Sequence, residues 1–260
     1  MHSFAQQNTL INAWAKSSER GSAGRAARVL EVMMQRYKDG DETFKPNTRS
    51  YCSVVDAIAK SGEKHAARRA EEILNGMITN YEANQDDDVK PNVHTANAVC
   101  NACAFTKIEE DRAEALEIAF RVFNWLAAQP DLSPDAYTYT ILLSVCSNLL
   151  PRDDRASRFA HAKMFFEKCC RTGYVNDYVL RKLRQTVTDE EYYELVNNRR
   201  GVSAANLPAS WTRNVSRNHR RPIHHKKGGG RGGGGRGDHR NHHHHHNNTN
   251  NSRSRRRGGR

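Results

Sequence analysis

No uncharged apolar run in the 260 residues reaches the roughly 18 that a membrane-spanning helix needs, so no membrane partner is expected. No signal-peptide pattern opens the chain, and its six cysteines therefore read as reduced intracellular thiols and not as a disulfide framework. No His-x-Glu occurs, which excludes the zinc site of nucleobase deaminases. Only Asp238 follows Glu194, which excludes a carboxylate-clustered metal nuclease from the C-terminal part. Cys100-x-x-Cys103 has no second pair to complete a zinc tetrad, and both cysteines sit in an apolar stripe that assigns them to a core. No glycine-rich phosphate loop stands between a strand and a helix, and no strand pattern is seen. A chain without catalytic residues, cofactor or metal site is expected.

Acidic residues are scarce in one part of the chain only. Residues 1–197 hold 25 Lys and Arg against 28 Asp and Glu, whereas residues 198–260 hold 16 against 1. The net charge of +12 therefore belongs to the tail. A basic tail on a near-neutral body suits a polyanion, because Lys and Arg that neutralise phosphates release condensed counterions. Nucleic acid fits better than a membrane surface, since the tail has no apolar face or lipidation site.

What is present is repetition. Gln7–Lys16, Tyr51–Lys60, Ala96–Phe105 and Tyr139–Asn148 align as four copies of one helix, with starts 44, 45 and 43 residues apart. Each copy carries one apolar stripe of helical period: Leu10, Ile11, Trp14, Ala15; Val54, Val55, Ile58, Ala59; Val99, Cys100, Cys103, Ala104; Leu142, Leu143, Cys146, Ser147. A second helix follows each copy, with an alanine and a larger residue seven positions on: Ala26 and Met33, Ala70 and Met77, Ala119 and Leu126, Ala162 and Cys169. Turns close the pairs at Lys45-Pro-Asn47, Lys90-Pro-Asn92, Ser133-Pro-Asp135 and Val175-Asn-Asp177. The expected fold is all-α. Four hairpins that cannot bury their stripes singly, about 4–47, 48–92, 93–135 and 136–177, stack into an α-solenoid with a concave face. Residues 178–197 are expected as capping helices, with Tyr178, Leu180 and Leu183 on the first and a Thr188-x-x-Glu191 capping box opening the second. The run from 198 to 260 is expected as a disordered tail, since it holds almost no apolar residue after Trp211. Met1–Ala5 runs straight into helical sequence without a cap, so an incomplete or unusually started chain is expected.

With its alanine-to-methionine step and closing Pro-Asn or Pro-Asp, residues 4–177 resemble the pentatricopeptide-repeat family. The repeats are longer than the family's, a length that also suits HEAT-like pairs. Gln7 and Ala96 replace the family's opening aromatic residue. The resemblance implies single-stranded RNA as partner, one base per repeat, in organellar RNA processing, stability or translation in a mitochondrion or plastid. It implies reading pairs Asn8 with Asn47, Cys52 with Asn92, Asn97 with Asp135, and Thr140 with Asp177. The implied string, 5′ to 3′, is pyrimidine, any base, uracil, guanine. The same Asn, Asp and Thr residues also suit simple helix caps, and sequence does not separate the two roles. In the tail, Arg231 and Arg236 lie in an RGG-like run, and Arg253, Arg255, Arg256 and Arg257 form a basic cluster suited to loose RNA contact or to nuclear localisation. His242–His246 reads as simple sequence. A protein-interaction scaffold, with a protein partner on the repeat surface, is the alternative that the near-neutral body supports.

Overall fold

The computed structural model describes residues 4–17, 19–197 and 202–215, which form eleven α-helices, four short 3-10 turns and no strand. The first hairpin is α1 (Phe4–Lys16) with α2 (Ser22–Lys38), and the second is α3 (Thr48–Ser61) with α4 (Ala66–Asn84). The third is α5 (Val93–Ala104) with α6 (Arg112–Ala128), and the fourth is α7 (Ala136–Leu149) with α8 (Arg155–Thr172). Three shorter helices follow: α9 (Asp177–Thr186), α10 (Asp189–Leu195) and α11 (Ala209–Thr212).

Each first helix after α1 begins where an amide or carboxylate side chain meets the backbone N–H three residues on. Asn47 accepts from Ser50, Asn92 from Thr95, Asp135 from Thr138 and Asn176 from Val179, at 2.8–3.1 Å. Such caps satisfy donors that the helix leaves unpaired, at about 1 kcal/mol each. Thr188 and Glu191 form the expected capping box of α10.

The first helices pack side by side, α1 on α3, α3 on α5, α5 on α7 and α7 on α9. Each second helix lies against its own first helix and the next hairpin's. The alanine column is buried at Ala26, Ala70, Ala119 and Ala162, as are Met33, Met77, Leu126 and Cys169. All four stripe residues of α3 and of α5 are buried. In α1 only Ile11 and Ala15 are; Leu10 is exposed and Trp14 half-buried under Arg25, whose guanidinium lies 4.7 Å from the ring. Ion pairs tie neighbouring hairpins at matching places: Lys45 to Asp86 and Asp88, Lys90 to Asp131, Arg68 to Glu114 and Arg121 to Glu71. Among the described residues no helix is long and apolar enough to cross a membrane.

One sequence expectation needs correction at the C-terminal end. Tyr178, Leu180 and Leu183 lie on α9, where Tyr178 is half exposed and Val179, Leu180, Leu183 and Thr186 form the buried face. The folded part does not stop at Asn197. Residues 202–215 pack back on α8, with Trp211 edge-on to Phe166 at 5.7 Å and Ala204, Leu207, Thr212 and Val215 buried. The tail residues Arg231, Arg236, Arg253, Arg255, Arg256 and Arg257 lie outside the described residues.

Gly173 makes that return possible. Its φ of +77 ends α8 in the left-handed region, and a Cβ there would stand 2.5 Å from Arg213 Cγ and 3.2 Å from the Ser210 carbonyl. Gly173→Ala is expected to lower stability by about 1–2 kcal/mol in thermal or urea melts. It should also open residues 203–215 to limited proteolysis.

Candidate nucleic-acid interface

The structure brings three of the four expected pairs together, each across two adjacent first helices. Ser50 Oγ donates to Asn8 Oδ1 at 2.7 Å and lies 3.2 Å from Asn47 Oδ1. Cys52 Sγ lies 3.2 Å from Thr95 Oγ1, which donates to Asn92 Oδ1 at 3.2 Å. Asn97 Nδ2 donates to Asp135 Oδ1 at 3.5 Å, and Thr138 Oγ1 donates to the same oxygen at 2.9 Å. In the first two pairs the third residue of the downstream helix carries the hydroxyl that joins the two, whereas in the third Asn97 meets Asp135 directly. Asn47, Asn92 and Asp135 are therefore caps, whatever else they do.

Cys52 and Asn97 are enclosed, at 4% and 3% exposure, and neither stands in an open trough. Burial pushes the Cys52 thiol up to about 11, so it is a neutral group at ordinary pH. Asn97 Oδ1 finds no hydrogen-bond donor among the described residues.

The fourth pair shifts register. Asn176 holds the place that Asn47, Asn92 and Asp135 hold, and Asp177 is the first residue of α9, accepting from the Ala204 N–H at 2.7 Å. The guanine reading rested on Thr140 with Asp177 and does not carry over in that form. Thr140 is half-buried and its Oγ1 donates to the Ala136 carbonyl at 2.8 Å, which leaves its lone pairs free to accept.

This fourth place lies beside a cavity of about 520 Å³, lined by Tyr137, Thr140, Tyr174, Asn176, Tyr178 and Asn214, among others. Tyr137 and Tyr178 are 53% and 50% exposed, each two residues past a cap, where α3 and α5 carry Arg49 and His94. Asn101 Nδ2 donates to the Tyr137 hydroxyl at 2.9 Å, and the Arg181 guanidinium stacks 5.1 Å from the Tyr178 ring. Sequence reading missed Tyr137 and Asn214 altogether. The signal for the tyrosines was their shared offset from the caps; Asn214 had none.

At the opposite ends of α3, α5 and α7 a cavity of about 630 Å³ is lined by Lys60, Lys107, Arg112 and Arg152, with the half-exposed Phe105 beside them. Cys100 and Cys103 lie in the core, where burial pushes the Cys100 thiol up to about 12 and Cys103 well above its ordinary value. Among the described residues no group of three or more His, Cys, Asp or Glu side chains is placed to hold a metal.

Comparison with family models, with curated proteins and with solved structures finds no match to this chain.

Proposed function

We propose that the chain is a sequence-selective single-stranded RNA-binding protein without catalytic activity, its hairpins stacked as a pentatricopeptide-type solenoid. The observation that carries this reading is the cavity beside Thr140 and Asn176, flanked by two exposed tyrosines. Aromatic rings hold a splayed base by stacking, at about 1–3 kcal/mol per base, and hydroxyl and amide groups beside them can meet its edge. The basic side chains at the far ends of α3, α5 and α7 supply phosphate contacts, and the 16 Lys and Arg of residues 198–260 add affinity without sequence preference. Organellar RNA processing, stability or translation is the setting that the repeat resemblance suggests.

The test is Thr140→Ala. Base preference should change about 5- to 100-fold at one position of a short RNA and nowhere else, measured by fluorescence anisotropy. Deleting residues 216–260 should weaken binding to all sequences and flatten its salt dependence. Equal affinity for every RNA before and after Thr140→Ala overturns the reading.

A second reading has its own support. A cleft of about 1060 Å³ opens between α2 and α4, floored by Tyr51, Val54 and Ile58, with Met34 exposed at its rim. A protein-interaction scaffold would use such a cleft to take an apolar helix. Failure of the repeats to crosslink to RNA, together with loss of a purified partner on Met34→Glu, would favour it.

A further inference from the structure

The cleft between α2 and α4 has a counterpart between α6 and α8, and the two are filled differently. The buried alanines Ala26, Ala70, Ala119 and Ala162 put the four second helices in one register. Between α6 and α8, Phe120 stacks on His161 at 5.1 Å and lies 5.6 Å from Phe165. Phe165 meets Phe123 edge-on at 5.3 Å, and Lys168 Nζ covers the Phe123 ring at 4.9 Å. The same register places Ala27 for Phe120, Leu30 for Phe123, Ile73 for Phe165 and Gly76 for Lys168, and all four line the cleft. Three rings, and a long side chain over one of them, are thus absent from the first gap. A Cβ on Gly76 would meet nothing within 4 Å. Glycine in a helix interior is itself unfavourable, so nothing in the folding of α4 calls for that open space.

The cleft is shaped for a helix. α2 lines it from Ala27 to Lys38, about 16 Å of helix, so its volume of about 1060 Å³ corresponds to a trough about 8 Å across. A single ring, about 3.5 Å thick, would leave most of that empty. A helix about 10 Å in diameter can set one face into it. The charges around it have an order. Glu72 forms no ion pair among the described residues, and Glu31 has only Arg28, at 3.9 Å with both side chains exposed. Arg69 and Lys45 are already held by Glu63 and Asp86. Lys38, two turns past Glu31 on the same face of α2, has no carboxylate partner among the described residues. Glu31 and Glu72 therefore suit a cation at one end of the trough, and Lys38 a carboxylate at the other.

We infer that this cleft docks an amphipathic helix of a partner protein, with an aromatic residue seated against Leu30, Ile73 and Gly76. A basic residue of that helix faces Glu31 and Glu72, and an acidic one two turns away faces Lys38. The ring supplies affinity, while the exposed charges, each worth little, set register and direction. The inference rests on the scaffold reading of the cleft and is independent of RNA binding.

The probe is a fluorescein-labelled synthetic helix of about 16 residues. Its apolar face is Leu and Ala with one central Phe, and it carries an Arg on the rim and a Glu two turns later. Its anisotropy is followed on titration with the full chain. It should bind about tenfold more tightly than the same peptide with Ala for Phe. Glu72→Lys should weaken it about 2- to 5-fold, and a peptide with Glu in place of that Arg should recover the loss. Gly76→Leu, which fills the space, should weaken binding at least about tenfold while the thermal midpoint holds or rises, so that the loss is occlusion and not unfolding. Equal binding of the Phe and Ala peptides, or of the Arg and Glu peptides, with both lost on Gly76→Leu, overturns the partner chemistry and leaves the scaffold reading standing. Binding untouched by Gly76→Leu, or no binding of any peptide, overturns both. Displacement of the bound peptide by a short single-stranded RNA assigns the cleft to nucleic acid and also overturns the inference.

Discussion

Phe165→Ala is expected to cost about 3–5 kcal/mol, the largest loss of any single truncation in the C-terminal hairpin. The ring is fully buried, edge-on to Phe123 at 5.3 Å and tilted against Phe120 at 5.6 Å. Its helix, α8, is held between α7 and α9 on one side and α11 on the other, so the surroundings have little freedom to collapse into the space left behind. The loss should also be local. Buried apolar side chains fall into two clusters, one spanning α1 to α7 and the other running from Phe123 of α6 through α7 to the C-terminal elements, with α6 and α7 shared between them. Ile141, Val145 and Leu149 of α7 face the first cluster, and Tyr139, Leu142, Leu143 and Cys146 face the second. In stacked repeats each unit contacts only its neighbours, and stability is a sum of near-neighbour terms. Urea unfolding of the variant should therefore split into two transitions. Amide exchange should quicken across 139–183 and stay slow across 54–77. One shifted transition with uniform loss of protection would show that the chain unfolds as a single unit and that the two clusters are not separable.

The hairpins and their caps were legible because the features that make them are local. An alanine seven residues before a methionine, or an asparagine or aspartate after a proline, is visible within about two turns of helix, and Asn47, Asn92 and Asp135 cap as their positions imply. Three things were not legible. Leu10 and Trp14 follow the stripe but stay partly exposed, because α1 has a first-helix neighbour on one side only among the described residues. At the fourth turn no proline marks the boundary, and Asn176 and Asp177 can both cap; the choice is made by Asp177 being drawn to the Ala204 N–H, 27 residues away. Residues 202–215 carry their apolar side chains, Val202, Leu207, Trp211 and Val215, too sparsely to form a stripe. What orders them is the glycine at 173 and the edge of Phe166, and neither is near in sequence.

Asn97→Ala should separate folding from reading more sharply than any other change. Its side chain is 3% exposed, yet its amide reaches Asp135 only at 3.5 Å, and its carbonyl has no donor among the described residues. An orphaned buried polar group costs about 1–3 kcal/mol, so the native amide is a burden that removal relieves, against a small cavity that removal leaves. Asp135 keeps the Thr138 N–H at 2.8 Å and the Thr138 hydroxyl at 2.9 Å, so the cap of α7 survives. The urea midpoint should therefore hold or rise, by up to about 1 kcal/mol. On the proposed function a base N–H meets that enclosed carbonyl only when bound RNA displaces the long Asn97–Asp135 contact. The same variant should then lose about tenfold in selectivity at the third nucleotide while other positions keep theirs. The two readouts move in opposite directions only if Asn97 is retained for a ligand. A cost above about 2 kcal/mol, the price of an amide fully bonded within the fold, would assign Asn97 to the core instead.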